Sequence, residues 1–333
     1  MRVSYNQLFS LLSDILIEVG LKQHDAEVCA GIFTDNTRDG ISSHGVNRFP
    51  RFVSQIINEI IQIDNKPEQI GGFGGVERWD GRHGIGPLNA CFCIDRAMAL
   101  AEEHGIGAVA LRNTTHWMRG GTYGLRAAER GFYAICWTNT MPNMPPWGAT
   151  RKLIGNNPIV FALPGEDHPY VLDMAVSQYS YGKLETLRTS GEKLPYPGGF
   201  DQSGTLTTDP DAILKTERIL PAGMWKGAGL SMILDLFAAT LSLGSPTIDI
   251  PRKEDNASQM FIALHPGTEE HDQKAMRDIM KRSVTRTKEV CAEAGEEVHF
   301  PGEGVFARRK QSDAEGIFVH PDIWNTIESL RSS

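Results

Sequence analysis

Apolar side chains recur three and four positions apart in the first twenty residues, which places them on one face of an α-helix. Ser4 and Gln7 have the spacing of a capping box, so this helix is predicted to begin just after Ser4. A second helix is predicted from about Asp25 to a stop at Gly40. A third is predicted to resume directly after Gly45.

The pattern changes at residue 71. Residues 71–87 are rich in glycine and turn residues, which predicts irregular structure and a domain boundary just before them. A helix and four strands are predicted up to residue 174, and a late strand at 258–266. Between them, residues 186–222 carry many Gly, Pro, Asp and Thr residues and predict a long loop. The apolar segment 227–244 predicts a buried helix.

The tail returns to a helical pattern at 271–294 and at about 319–331. Helical ends around a mixed centre predict an α+β fold rather than a Rossmann fold. In this prediction a discontinuous helical domain, 1–70 and 288–333, is built from both termini. The central domain, 71–287, is predicted to be mixed α/β with a largely antiparallel sheet.

The composition is that of an ordinary globular chain, with 41% hydrophobic and 22% charged residues among 333. A formal net charge of -8 argues against a general affinity for nucleic acid. No apolar run approaches the ~18 residues of a membrane helix, and the first helix lacks the pattern of a signal peptide. The five cysteines include no C-x-x-C pair, so reduced thiols in a cytoplasmic protein are expected.

A Rossmann site would require G-x-G-x-x-G/A between a strand and a helix, near the start of a βαβ unit. Two segments have the spacing. Residues 105–110 follow a predicted helix and precede a strand, which is the reverse order. Residues 302–307 follow a possible strand, but too little chain follows for a nucleotide-binding half-domain. Any nicotinamide site must therefore belong to a different fold.

The segment SSHGVNRFPRF, residues 42–52, brings His44 and Arg48 close together. An arginine fork matches a carboxylate, and a histidine can donate a proton near neutral pH. If helix resumes at Gly45, the two side chains lie about one turn apart and face one pocket. The pair suits reduction of a 2-oxo acid, with Arg48 holding the carboxylate and His44 protonating the C2 oxygen. A capping histidine beside an arginine in a surface ion pair fits the spacing equally well.

Later segments carry further polar candidates. His116 and Arg119 follow a predicted strand among glycines, where binding sites are common. Residues 137–158, rich in Pro and Asn, fit the rim of a nucleotide site or a structural loop. Lys183 could meet a phosphate, and residues 225–226 precede a predicted helix start, which attracts phosphate. The histidines lack the spacing of metal ligands, so no metal site is predicted.

Taken in order, six segments resemble the malate/L-lactate dehydrogenase family of NAD(P)H-dependent oxidoreductases, which lacks a Rossmann domain. They are SHGVNRFPRF, NTTHWMRGGTYG, CWTN…MPPWGA, GNNP, LDMAVS and GMWKG. The resemblance covers essentially the whole chain, and the first two motifs are long and specific. It implies a cytoplasmic homodimer whose active site lies near the subunit interface. It also implies a sugar-acid substrate, with hydride transfer from NADH (NADPH is possible) to C2 of 2,3-diketo-L-gulonate, giving 3-keto-L-gulonate.

Carried over residue by residue, the resemblance implies that His44 is the proton donor, Arg48 the carboxylate clamp and His116 part of the substrate site. Three segments are expected to contact the NAD cofactor. They are His168, Pro169, Tyr170, Val171, Leu172, Asp173 and Met174; Met224, Trp225 and Lys226; and Gly302, Glu303 and Gly304. The chain departs from the family at Asn156, where Thr is common.

Three other functions remain open on the sequence alone. Another dehydrogenase of the same family, acting on malate, lactate, ureidoglycolate or a cyclic imine carboxylate, would keep the fold and the role of His44. A cofactor-independent sugar-acid isomerase or lyase would use His44 and His116 as acid and base. A dimeric binding protein would hold a sugar acid without converting it.

Overall fold

A computed structural model of the chain describes residues 1–251 and 256–332. The α-helices of these residues are α1 (Tyr5–Glu18), α2 (Gln23–Arg38), α3 (Phe49–Ile57), α4 (Gly86–His104), α5 (Gly121–Ala128), α6 (Tyr181–Ser190), α7 (Pro210–Thr216), α8 (Trp225–Ser242), α9 (Glu270–Glu293), α10 (Glu303–Glu315) and α11 (Pro321–Ser329). The strands are β1 (Arg2–Val3), β2 (Glu68–Phe73), β3 (Val76–Asp80), β4 (Ile106–Thr114), β5 (Tyr133–Thr138), β6 (Ile159–Leu163), β7 (Tyr170–Met174), β8 (Gly199–Phe200), β9 (Leu206–Thr207), β10 (Ala257–Leu264) and β11 (Ile317–Phe318). None of the helices in the described ranges has both the length and the apolar character needed to cross a membrane.

The two ends of the chain pack together in one helical layer. The short strands β1 and β11 pair antiparallel, and the capping box of Ser4 and Gln7 begins α1 as predicted. The apolar faces of α1, α2 and α3 share one core with Ile317, Val319 and Ile327. The exact domain boundaries stay a prediction, since residue 70 lies within β2 and residue 288 within α9.

A seven-stranded sheet forms the centre, in the order β2-β3-β4-β10-β5-β6-β7. The β3–β4 pair is parallel, and the other neighbours are antiparallel. Helices α4 and α5 cover one face, and α8 covers part of the other. The predicted α+β fold with a largely antiparallel sheet is confirmed.

The antiparallel register brings several strand ends to the same edge of the sheet. Strands β4 and β5 end there, opposite the start of β10, where Ala257 pairs with Thr114 and Gln259 with Thr138. The start of β6 and the end of β7 lie at the same edge, since Ile159 pairs with both Trp137 and Met174. Loops at this edge can therefore converge on one site.

Two segments predicted to be irregular are regular. Within 71–87, β2 and β3 form a hairpin through Gly74, whose φ of +55° suits a residue without a Cβ. The prediction of a long loop at 186–222 is wrong. Together with α6, this region forms α7 and a β8–β9 hairpin, with an apolar core of its own around Leu184, Leu187 and Ile213. The Gly, Pro, Asp and Thr residues of this region lie at the ends of short helices and strands and do not form one continuous loop.

Three helix predictions also need correction. The third helix begins at Phe49, not directly after Gly45. Helix α10 was not predicted, because Val305 and Phe306 are its only large apolar residues and its sequence has no apolar stripe. Helix α8 is buried only on its inner face, and Ile233, Leu236 and Phe237 on the outside are 52%, 54% and 52% exposed.

Candidate active site

His44 and His116 stack against each other beside the edge where the strands end. Their ring centroids are 5.8 Å apart, and the ring planes differ by 14°. The Met118 N–H donates to His116 Nδ1 at 3.0 Å, so the neutral ring carries its proton on Nε2. Ser43 Oγ lies 3.1 Å from His44 Nδ1. Hydrogen bonds to one ring nitrogen leave the other nitrogen of each histidine available for chemistry.

The position of His44 is set by α2. His44 ends a 3₁₀ turn, Ser42–His44, and its carbonyl oxygen accepts a hydrogen bond from Asn36 Nδ2 at 3.0 Å. Gly45 follows, where a Cβ would lie only 2.3 Å from Thr37 Oγ1. Glycine at this position therefore lets the turn lie directly on α2.

Arg48 approaches His44 through turns and not along a shared helix. Its N–H donates to the Gly45 carbonyl oxygen at 2.9 Å, and Arg48 is the residue before α3. The predicted one-turn helical relationship is therefore wrong, but the two side chains are still close enough to interact electrostatically.

Burial and nearby cations hold both imidazoles neutral. Burial, then Arg48 and Arg119, lowers the pKa of His44 from 6.5 to about 4. Burial, then Arg48, His44 and Arg51, lowers the pKa of His116 well below its ordinary value. Both rings are thus neutral at pH 7 before an anion binds.

A cavity of about 340 Å³ opens at this edge of the sheet. Arg48, Arg51 and His116 line one part of its wall, and Asn156 lies among its other lining residues. His44 does not line this cavity in the described structure, and contacts it through His116. The structure therefore places Arg48 and His116 in the wall of one pocket, with His44 stacked behind His116.

The departure from the family at Asn156 falls in this cavity wall. Asn156 Oδ1 accepts hydrogen bonds from Asn143 Nδ2 at 2.8 Å and from Thr140 Oγ1 at 3.2 Å. Its side chain thus supports the loop that carries both neighbours. Asn143 lies within the predicted rim 137–158 but was not singled out, and Gln259, which lines the cavity from β10, was missed. The available signal was a glutamine near the start of a largely apolar strand.

The three predicted cofactor segments lie along β7 or just beyond its end. Strand β7 is the outermost strand on one side of the sheet. Residues 168–174 contain β7, which pairs with β6 on one side. Near its start, Val171 N–H donates to the Pro301 carbonyl oxygen at 3.2 Å, and His168 stacks on Phe306 at 4.7 Å. Residues 302–304 therefore lie next to 168–171.

The third segment, 224–226, lies beyond the other end of β7. There the Ala222 N–H donates to the Val176 carbonyl oxygen at 2.9 Å. Met224 and Trp225 are 46% and 65% exposed, which is unusual for large apolar side chains. Asp173 is already engaged by protein groups, because its Oδ2 accepts from the Gly121 N–H at 2.8 Å.

A buried ion cluster connects β7 to the helical layer. The carboxylate of Asp39 is 1% exposed and accepts from Arg119 at 2.7 Å and from Arg309 at 2.7 and 2.9 Å. Arg119 Nε is also 3.7 Å from Asp173 Oδ2. Helix α2, helix α10 and β7 are thus held by one charge network.

Comparison with known proteins gives a family match over nearly the whole chain. Residues 3–328 match the model of a family described as malate/L-lactate dehydrogenase. The chain belongs to this family. A 2,3-diketo-L-gulonate reductase from Klebsiella pneumoniae (strain 342) is 42% identical over 335 residues, covering 99% of this chain and 100% of the relative.

Two solved structures share the whole fold. A malate dehydrogenase from Pyrococcus horikoshii OT3 superposes with a TM-score of 0.90 at 26% identity, covering 100% of this chain and 95% of the other. A sulfolactate dehydrogenase from Methanocaldococcus jannaschii gives 0.89 at 25% identity, covering 100% and 97%. As a member of the malate/L-lactate dehydrogenase family, the chain is an oxidoreductase, and the family implies a nicotinamide cofactor.

The residues present fit such a cofactor. Helices α8 and α10 begin at the two ends of β7, after Met224 and Gly302, whose φ angles are +61° and +99°. Neither helix has a side-chain cap at its N-terminus. The N–H groups of Lys226, Glu303 and Val305 donate to backbone carbonyl oxygens, and the remaining first-turn N–H groups can meet phosphate oxygens. A Cβ on Gly302 would lie 3.1 Å from Val171 N, so glycine allows the close packing of this turn on β7. The described residues hold no group of three or more His, Cys, Asp or Glu side chains arranged for a metal ion.

Proposed function

We propose that the chain reduces 2,3-diketo-L-gulonate to 3-keto-L-gulonate with NADH, by hydride transfer to C2. The observation that carries the proposal is that His44 stacks on His116, and that His116 and Arg48 line one cavity. The name of the Klebsiella relative, at 42% identity over nearly the whole chain, supports this choice of substrate.

In this mechanism the protein positions an acid and supplies a proton. A bound nicotinamide supplies the hydride. The guanidinium of Arg48 holds the substrate carboxylate with its forked donors. His44 protonates the C2 oxygen as that oxygen gains negative charge, while His116 stacks on His44 and lines the substrate cavity.

Substrate binding also changes the pKa of His44. Arg48 is one cause of the low pKa of His44, so an anion bound to Arg48 offsets that cation. The pKa of His44 then rises towards its ordinary value, which favours the protonated form that donates to the C2 oxygen. The cofactor contacts residues 168–174, 224–226 and 302–304; NADH is preferred and NADPH is possible.

The proposal includes a cytoplasmic homodimer. The exposed apolar residues Ile233, Leu236 and Phe237 lie on α8, which begins at the cofactor turn 224–226. Contiguous apolar surface of this kind is typical of an interface. A second subunit on this face would lie near the active site, which fits the expected placement.

The direct test follows oxidation of NADH or NADPH by the purified protein with 2,3-diketo-L-gulonate, pyruvate and oxaloacetate. Rapid NADH oxidation with the diketo acid alone is the expected result. Oxidation with another 2-oxo acid only would replace the substrate and keep the reaction class. Conversion of a sugar acid without nicotinamide would overturn the proposal in favour of an isomerase or lyase.

A further inference from the structure

Gln259 is a buried amide without a partner in the active-site cavity. It lies on β10 in the interior of the sheet, is 0% exposed, and lines the same cavity as Arg48 and His116. Neither Nε2 nor Oε1 of Gln259 has a hydrogen-bond partner among the residues that the structure describes. Buried polar side chains are nearly always hydrogen-bonded, so this amide calls for an explanation.

Asn143 presents a second group of the same kind. Its Nδ2 donates to Asn156 Oδ1 at 2.8 Å, which fixes the orientation of the amide. Its Oδ1 is buried and has no partner within the described part of the chain. Asn143 is 8% exposed and lines the same cavity. Together, Gln259 and Asn143 offer one amide donor group and two acceptor oxygens.

Neighbouring amides in the same region behave differently. Asn157 Oδ1 accepts from the Thr140 N–H at 2.9 Å, and its Nδ2 donates to the Ser231 carbonyl oxygen at 2.9 Å. Asn139 Nδ2 donates to Asp235 Oδ1 at 2.8 Å. These two amides hold the loops together, whereas Gln259 and Asn143 keep bonding capacity for a ligand.

We propose that Gln259 and Asn143 form a subsite for the oxygen substituents of the substrate beyond C2. The inference rests on the proposed function and restricts it to 2-oxo acids with oxygen on the following carbons. Gln259 Nε2 donates to a carbonyl or hydroxyl oxygen, and the two amide oxygens accept from hydroxyl groups. Arg48 holds the carboxylate, so the two ends of the acid are recognised separately.

The proposal assigns Gln259 to the substrate and not to the cofactor. In the sheet order, β10 is separated from β7 by β5 and β6, and the predicted cofactor segments lie along β7. A site that hydrogen-bonds a substrate hydroxyl discriminates strongly against analogues lacking it. The subsite thus explains how this cavity would select a sugar acid over pyruvate.

The test compares two acids that share a carboxylate and a 2-hydroxyl group. Binding of L-gulonate and of L-lactate in the presence of NADH is measured by calorimetry for the wild type, Gln259→Met and Gln55→Met. Methionine keeps the length of glutamine and removes both hydrogen-bonding atoms. Gln55 is a second buried glutamine, outside the cavity lining, and serves as the matched control.

We expect the wild type to bind L-gulonate more tightly than L-lactate. In Gln259→Met the ratio of the L-gulonate affinity to the L-lactate affinity should fall about tenfold or more, because neutral hydrogen bonds to L-gulonate are lost. The L-lactate affinity and the KM for NADH should stay near wild type. Gln55→Met should keep the wild-type ratio. Gln259→Asn, which shortens the amide and keeps its polarity, provides a second variant, and its ratio should also fall.

Three results would overturn the subsite: an unchanged ratio in both Gln259 variants, an equal loss for both acids, or a selective rise in the KM for NADH. The last would assign Gln259 to the cofactor. Failure of the proposed function has a different signature. The wild type would then not oxidise NADH with the diketo acid, while the fall in the binding ratio would still support the subsite.

Discussion

The imidazole of His44 lies against that of His116, with ring centroids 5.8 Å apart and planes 14° from parallel. Burial and Arg48 lower the pKa of both rings, and His44 is a further cause of the low pKa of His116. Two adjacent imidazoles beside a guanidinium cannot both be cationic near neutral pH. The pair therefore carries at most one positive charge, and a bound anion favours that charged state.

The first prediction concerns His44. Replacing it by glutamine keeps a polar side chain and removes the acid, so kcat should fall about 100-fold or more. The Kd for NADH, measured by fluorescence titration, should stay within about twofold, since His44 lies outside the expected cofactor segments. His24→Gln, on the exposed surface of α2, is the control. Wild-type-like turnover in His44→Gln would remove His44 from the mechanism.

The second prediction concerns Arg48. Arg48→Lys keeps the positive charge but loses the fork, so the KM for the acid should rise about tenfold to 100-fold. The KM for NADH should not change. Arg82→Lys, at an arginine with a half-exposed side chain, provides the control. An unchanged KM for the acid in Arg48→Lys would show that the carboxylate binds elsewhere.

The third prediction is a pH profile. The pKa of His44 in the free enzyme is about 4, and kcat/KM reports ionisations of the free enzyme. Reduction requires protonated His44, so its kcat/KM should decrease as the pH rises above about 4. Oxidation requires neutral His44, so its kcat/KM should increase through the same pH and then stay level.

Loss of the Arg48 charge, as in Arg48→Gln, removes one cause of the low pKa of His44. The pH at which each kcat/KM profile changes slope should therefore move to a higher value. Profiles that change slope at the same pH in wild type and Arg48→Gln would contradict the assignment to His44.

The low pKa of His44 also makes folding stability depend on pH. The folded pKa lies below the ordinary value of 6.5, so the unfolded chain binds more protons, and stability should decline as the pH falls from about 6.5 towards 4.

Most of the architecture could be predicted from local pattern. The capping box at Ser4 and the helical spacing of α1 and α2 are properties of adjacent residues, so they could be identified directly. The strands at β4 to β7 were likewise visible as short apolar runs between turns. In contrast, α10 has no buried residues, and its position depends on the contact of Arg309 with Asp39, which is 270 residues away in sequence.

The candidate site shows the same limit. The closeness of His44 and Arg48 could be expected from the segment that contains them, although the turn geometry between them could not, and their roles stay a prediction. Gln259 belongs to a strand whose register with β4 and β5 decides which side chains reach the cavity. That register is set by long-range pairing, so the role of a single glutamine could not be deduced from its neighbours in sequence.

The fourth prediction concerns the outer face of α8. Phe237 is 52% exposed, and a charge in a buried dimer interface would be strongly unfavourable. Phe237→Glu should therefore shift the protein from dimer to monomer in sedimentation velocity. Ile57→Glu, at an apolar residue on α3 that is 58% exposed, should leave the dimer intact. A wild-type protein that sediments as a monomer would remove the dimer from the proposed function.

The last prediction concerns the buried cluster at Asp39. Asp39→Asn leaves the buried Arg119 and the 19%-exposed Arg309 without the Asp39 carboxylate, and losing one member of a buried ion pair costs about 3–5 kcal/mol. The free energy of unfolding in urea should fall by that amount. Because the cluster reaches Asp173 on β7 through Arg119, the Kd for NADH should also rise.

Glu293→Gln is the matched control, since Glu293 forms a surface pair with Arg286 in which both side chains are more than 60% exposed. Its loss should cost less than about 1 kcal/mol. Adding Arg309→Met to Asp39→Asn removes one uncompensated charge and should recover part of the lost stability. If Asp39→Asn is no less stable than Glu293→Gln, the cluster does not hold α2 to α10, and the link between the helical layer and the cofactor strand must lie in the apolar contacts instead.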